Sequence, residues 1–304
     1  MTVDQTMEVA DSAVTDRYPT RMGESPRWVR RTDPTVWAGN DGPMTVPELR
    51  AHDRAGYTVV PEAFAAEEIL RLRAEVSRLA EDPALRGDER VVRERGTGAV
   101  RSIFEVHRVS PVIAGLVADD RIVGRARQLL GSDVYIHQSR VNLMPGFEGT
   151  GFYWHSDFET WHAEDGLPRP RAVSCSIALT DNLPYNGALM VLPGSHRTFV
   201  PCVGHTPEQN YRTSLVQQQI GVPSRRDVEA LVAEHGIEQF TGSAGSALWF
   251  DSNIMHGSGS NVTPHPRSNI FLVFNSVDNA PGEPFAAGAP RPEFIAARTA
   301  EPVR

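Results

Sequence analysis

The chain has 304 residues, 40% of them hydrophobic and 22% charged. That is the balance of an ordinary globular protein of one large domain or two small ones, not of a disordered or membrane-embedded chain. A net charge of −8 argues against a nucleic-acid partner, which selects a basic face. All 30 basic residues are arginine, so lysine Schiff-base chemistry, a P-loop lysine and a kinase-type lysine are excluded together.

No apolar run approaches the ~18 residues of a membrane span, and the opening MTVDQTMEVADSAV lacks a basic-then-apolar leader pattern. Cys175 and Cys202 are the only cysteines, too few for a disulfide framework or a structural zinc site. The expectation is a soluble cytoplasmic protein with no membrane partner. Residues 1–45 are polar and Pro-punctuated and read as an extension that drapes over a domain or stays mobile. AGYTVVPEAF (55–64) reads as a short strand and turn. The next stretch places Ile69, Leu72, Val76 and Leu79 on one face of a helix. A second helical region over 110–130 has Ser110-Pro111 as its start and Gly131 as its stop.

From about 134 the texture becomes β-like: VYIHQSRVNLM, GFYWHSDF, AVSCSIALTD, ALMVLPGS, SALWFDSNIMHGS and SNIFLVFNSV. Such spacing predicts a mainly β fold with peripheral helices, built as a sandwich or barrel. RRDVEALVAEHGIEQF (225–240) reads as an inserted helix, Tyr185-Asn186-Gly187 as a hairpin signal, and the Ala/Pro-rich residues 281–304 as a tail with little to pack. The domain is expected over residues 46–280.

The chemistry concentrates at His155-Ser156-Asp157. In an extended strand, residues two apart project to the same face, so both side chains can converge on one ion. His256, at the end of another predicted strand, is the best third ligand. Two histidines and one carboxylate form the facial triad of non-haem Fe(II) oxygenases, with positions left open for a co-substrate and dioxygen. Arg267, just beyond His256, suits the distal carboxylate of a chelating 2-oxo acid. Arg267, Asn269 and Phe271 alternate on one face, as do Gln138, Arg140 and Asn142, and polar rows on an inner face call for a polar ligand. Phe152, Trp154, Phe158 and Trp161 crowd the motif and read as core or as a cage. His162 and His196 read as hydrogen-bonding loop residues.

HSD at 155–157, NGALMVLPGSH (186–196) and HGSG followed by Arg267 resemble the phytanoyl-CoA dioxygenase superfamily, which implies Fe(II), 2-oxoglutarate and O2 on a double-stranded β-helix, or jelly roll. GFYWHSDFETWHAEDGLP (151–168) resembles, more narrowly, the ectoine hydroxylases of that superfamily. The resemblance spans about residues 50–280. It implies His155, Asp157 and His256 as iron ligands, and Asn142, Phe152, Ser174, Ser258 and Arg267 around 2-oxoglutarate. Gln138, Trp161, Phe250, Asn269 and Phe271 would then line a pocket for ectoine. It further implies conversion of ectoine to 5-hydroxyectoine, with release of succinate and CO2, by a homodimer. Asp157 stands where related halogenases carry a small residue, which favours hydroxylation. The chain departs from the pattern at Met144, where several relatives carry lysine. The residues themselves leave open the same chemistry on another small polar substrate such as a free amino acid, a non-catalytic jelly-roll module, or a cupin-like isomerase.

Overall fold

Alternation along the strand Arg267–Ser276 shows how the fold is layered. Ile270, Leu272 and Phe274 turn to one side and join Ile103, Val141, Cys175, Ile177 and Trp249 beneath a layer of helices. Phe271 turns to the other side and meets Leu189, Val191, Leu248 and Phe250 between two sheets. A period of two thus gives each strand a helix-facing and a cavity-facing side.

The computed structural model describes residues 15–23, 27–94, 97–147, 149–216 and 218–304. The first fourteen residues of the expected extension lie outside them. In chain order the strands are β1 (Val29–Arg30), β2 (Tyr57–Val60), β3 (Val91–Arg93), β4 (Val100–Phe104), β5 (Val134–Met144), β6 (Phe152–His155), β7 (Ala172–Ala178), β8 (Leu189–Val191), β9 (Thr198–Phe199), β10 (Glu238–Gln239), β11 (Ala247–Asp251), β12 (His256–Ser258) and β13 (Arg267–Ser276). One antiparallel sheet runs β2-β11-β7-β13-β5-β4-β3 and a second runs β10-β8-β12-β6. The chain crosses from the larger sheet to the smaller at β5–β6, β7–β8 and β11–β12, the winding of a double-stranded β-helix. The turn Tyr185-Asn186-Gly187 accordingly joins strands of different sheets and is not a hairpin, although Gly187 takes the left-handed φ of +79°.

The helix Ala66–Glu81 buries Ile69, Leu72, Val76 and Leu79, the face its periodicity predicts. The predicted helix over 110–130 is two helices, Pro111–Val117 and Asp120–Leu130. Ser110 caps the first, and the carboxylate of Asp119 accepts the N–H of Arg121 to start the second. A capping side chain in mid-sequence offers the backbone an alternative to continuing the helix. Gly131 ends the pair at φ +60°, with the Ala38 carbonyl where a Cβ would stand. The segment 225–240 is the helix Arg225–His235 followed by β10, which pairs with β8.

Both termini pack more than their composition suggests. Tyr18 is buried against Phe158 and Phe199, with ring centroids 5.1 and 5.3 Å away. In the tail, expected to have little to pack, Phe294 and Ile295 cover Phe104, and the N–H groups of Ala297 and Val303 bond the carbonyls of His137 and Val134 at 2.8 and 2.9 Å. A few apolar side chains and backbone bonding along β5 are enough to dock an Ala/Pro-rich run. Among the described residues no helix is long and apolar enough to cross a membrane.

Candidate active site

His155 closes β6 and His256 opens β12, and the two face each other across the antiparallel ladder, with ring centroids 4.3 Å apart. Asp157 is not in the strand, as the alternation argument has it. It is the first residue of a short helix that continues through a π turn over Trp161–Asp165. The change from strand to helix at Ser156 still aims the carboxylate at both rings: Asp157 Oδ1 lies 3.7 Å from His155 Nε2 and Oδ2 lies 3.8 Å from His256 Nε2. One ligand atom from each of the three residues falls within 4.8 Å of the others.

Hydrogen bonding fixes the tautomers. Nδ1 of His155 donates to the Tyr153 carbonyl at 2.7 Å, and Nδ1 of His256 donates to the Ile254 carbonyl at 3.0 Å. A carbonyl can only accept, so each ring carries a proton on Nδ1 and turns its Nε2 toward the shared space. Burial, and then the neighbouring His256, press the His155 imidazole down to about 4, so it is neutral at physiological pH. Two imidazoles and one carboxylate are the donor set that divalent iron takes in a facial triad, so these residues fit the metal.

Register across the larger sheet builds the cavity wall. β13 and β5 pair Arg267 with Met144, Asn269 with Asn142, Phe271 with Arg140, and Val273 with Gln138. β7 and β11 add Ser174 opposite Phe250. Asn142 accepts from Ser102 at 2.8 Å, Asn269 donates to Ser176 at 3.2 Å, and the Phe250 ring lies 5.1 Å from His256. The hydroxyl of Ser258 accepts the N–H of Phe152 at 3.2 Å. The cavity beside the triad is lined by Gln138, Phe152 and Trp161 together with His155 and Asp157. Asn269, Phe271 and Phe250 stand in the wall behind it. Gln138 donates its amide to the Ile295 carbonyl at 2.8 Å.

The guanidinium of Arg267 is the telling group. It is 6% exposed, among the described residues its Nε has no partner, and its Nη2 meets the thioether of Met144 at 3.8 Å. Burial, and then the charge of Arg101, hold it down to about 10. Among the described residues no carboxylate pairs with this buried cation, an arrangement that suits an anionic ligand. The hydroxyl of Ser174, also buried, has no partner either.

Two arginines on the cavity are not in the site expected from sequence. Arg140 lines it, lies 5.1 Å over the Phe271 ring and has an unpartnered Nε; its place in the Gln138–Asn142 row was the available signal. Arg291 reaches in from the tail, held by Asp165 at 2.8 and 2.6 Å; nothing near it in sequence marks it. His162 and His196 take no part: they bond the carbonyls of Leu167 and Asp53, though His162 sits in the π turn and not in a loop.

A jelly roll carrying a two-histidine, one-carboxylate triad, with a buried arginine on its larger sheet that no described carboxylate pairs, has the features of a non-haem Fe(II)- and 2-oxoglutarate-dependent dioxygenase. The sequence profile of the phytanoyl-CoA dioxygenase family matches residues 52–269, and the chain belongs to that family. It is 62% identical to the ectoine dioxygenase of Nocardia farcinica over 95% of both chains. EctD from S. alaskensis, crystallised with 2-oxoglutarate and 5-hydroxyectoine, superposes with a TM-score of 0.85 at 46% identity, covering 95% of this chain and 96% of that one. The same protein with bound Fe gives 0.86 at 44% identity, covering 95% and 98%. Within the family the chain thus falls among the ectoine dioxygenases.

Proposed function

We propose that the protein hydroxylates ectoine to 5-hydroxyectoine, consuming 2-oxoglutarate and O2 and releasing succinate and CO2. The observation that carries this reading is the convergence of His155, Asp157 and His256 within 4.8 Å, in a chain closely similar to ectoine dioxygenases. In this reading the three residues hold Fe(II), which supplies the activation of O2 and the removal of hydrogen from carbon. Arg267 pairs with the distal carboxylate of 2-oxoglutarate, and Asn142, Phe152, Ser174 and Ser258 surround its body. Gln138, Trp161, Phe250, Asn269 and Phe271 form the ectoine pocket. Ectoine carries a carboxylate and a delocalised cationic ring, and the Trp161 face suits the cation. The inner wall excludes water and holds one ring methylene toward the metal; the protein's part is position, since the cofactor does the difficult step.

The reading extends to a cytoplasmic homodimer that engages neither nucleic acid nor membrane, in keeping with the net charge of −8. Its test is mass spectrometry of ectoine incubated with the protein, Fe(II), 2-oxoglutarate and air. A product one oxygen heavier, matched by succinate, is expected. Succinate dependent on another small solute would replace the substrate, and no iron-dependent succinate with any substrate would sink the enzyme reading. Light scattering at the mass of two chains checks the dimer.

A further inference from the structure

Arg21 belongs to the N-terminal segment, far in sequence from the triad, yet its side chain is fully buried. It makes a fork to Glu159, Nε to Oε1 and Nη2 to Oε2 at 3.0 Å each. Its Nη1 donates to Glu164 Oε1 at 2.6 Å and to Thr206 Oγ1 at 2.8 Å. Both carboxylates have further donors, since Thr20 donates to Glu159 at 2.7 Å and Asn210 to Glu164 at 2.8 Å. Glu159 and Glu164 lie on the helical turn that starts with Asp157 and carries Trp161.

The residues met on the other side form a roof. Residues 206–216 and 218–221 cross the mouth of the cavity, where Ser214, Leu215, Gln218 and Ile220 line it. The start of this roof is bound to the Arg21 cluster through Thr206 and Asn210. Its far end is pressed against the same cluster by an independent feature. Gly221 has φ +74°, and a Cβ there would stand 2.5 Å from Glu159 Oε2 and 2.7 Å from Arg21 Nη2. Only glycine allows the chain to close so near the ion pair, in a backbone conformation that other residues resist.

We propose that Arg21 is a positioning residue that clasps both ends of this roof shut against the Asp157–Asp165 turn, so that the substrate cavity closes correctly only when the N-terminal segment is docked. The proposal rests on the hydroxylase reading above. Three carboxylate oxygens and a hydroxyl on one guanidinium need the planar fork of arginine, which lysine cannot reproduce. The clasp acts on the substrate side of the cavity, whereas Arg267 lies on β13.

The test compares wild type with Arg21→Met, Arg21→Lys and Gly221→Ala. The wild-type assay with ectoine settles the hydroxylase reading by itself, before any variant is compared. KM for ectoine should rise tenfold or more in Arg21→Met and Gly221→Ala and less in Arg21→Lys, with KM for 2-oxoglutarate and Fe(II) content within twofold of wild type. Trypsin should cut after the exposed Arg212 at least tenfold faster in Arg21→Met, and excess ectoine should slow that cut in wild type. An unchanged ectoine KM with unchanged Arg212 cleavage overturns the clasp. So does a parallel rise in both KM values with lost iron, which marks general damage. If Arg21→Met fails to fold, Gly221→Ala carries the same two readouts.

Discussion

Replacing Arg267 with Met removes a buried guanidinium that meets a thioether and, among the described residues, no carboxylate. Two effects of opposite sign follow. With 2-oxoglutarate present, the change deletes one partner of a desolvated ion pair, a loss of about 2–5 kcal/mol. At about 1.4 kcal/mol per decade, 2-oxoglutarate should bind at least about 30-fold more weakly to the Fe(II)-loaded protein, measured anaerobically by titration calorimetry. Without the co-substrate the sign reverses. Arg267 is a base held down to about 10 by burial and by Arg101, so at every lower pH the fold carries a charge that it disfavours. The apoprotein of Arg267→Met should therefore melt no lower than wild type, and an increase of about 1 kcal/mol would raise its midpoint by about 2 °C for a chain of this size. A melting point several degrees lower would show Arg267 to be a structural anchor. Affinity within threefold of wild type would remove it from the co-substrate site.

Trp161→Ala should raise KM for ectoine about 30-fold, from roughly 2 kcal/mol of cation–π attraction in a desolvated site, while KM for 2-oxoglutarate stays within a few-fold; equal losses would refute the assignment. Leu72→Ala, beneath the larger sheet at 5% exposure, should cost about 2–5 kcal/mol in denaturant unfolding, with KM values unmoved in the folded fraction. Acid should destabilise the fold through His52. Burial lowers this imidazole from the ordinary 6.5 to about 4, so below 6.5 the unfolded chain takes up a proton that the folded chain refuses. Stability is then lost as pH falls from about 6.5 to about 4, by on the order of 3 kcal/mol. His107, lowered to about 4 by burial, adds to the same slope. A flat melting profile across that window would contradict both.

What could be read from the chain alone was whatever local chemistry dictates. The face of Ala66–Glu81, the caps at Ser110 and Gly131, and the alternation of β5 and β13 depend on residues within a turn or a strand of one another. The convergence of His155, Asp157 and His256 was legible for a related reason, since few residue types bind a metal and the spacing of His155 and Asp157 restricts the geometry. The geometry itself differed: a helix start, not a strand, brings Asp157 to the histidines, because Ser156 is the point where the chain leaves β6. Arg21 and Arg291 were illegible. Each acts through a carboxylate well over a hundred residues away, and only the folded register brings Glu159 to the first and Asp165 to the second.

The charges around the cavity explain why the site needs so many arginines. Arg101 is offset by Glu94 at 2.7 Å and Arg291 by Asp165. Among the described residues Arg140 and Arg267 have no carboxylate in ion-pair contact; against them stand Asp157 and the net −1 of the Arg21–Glu159–Glu164 cluster, whose Glu164 lines the cavity. Burial lowers the affinity of both guanidiniums for their protons, which measures how poorly the apoprotein tolerates them. A divalent metal at the triad adds two further positive charges. The surplus is then two, and a dianion is the ligand that removes it without leaving an unpaired negative charge of its own. A neutral or singly charged co-substrate of the same shape would leave at least one cation buried and unmatched. By this argument the preference for a dicarboxylate is set by the whole cavity and not by Arg267 alone. Arg140→Met should therefore weaken 2-oxoglutarate binding together with Arg267→Met by more than either change alone, and a double variant no weaker than the worse single one would show that one arginine accounts for all of it.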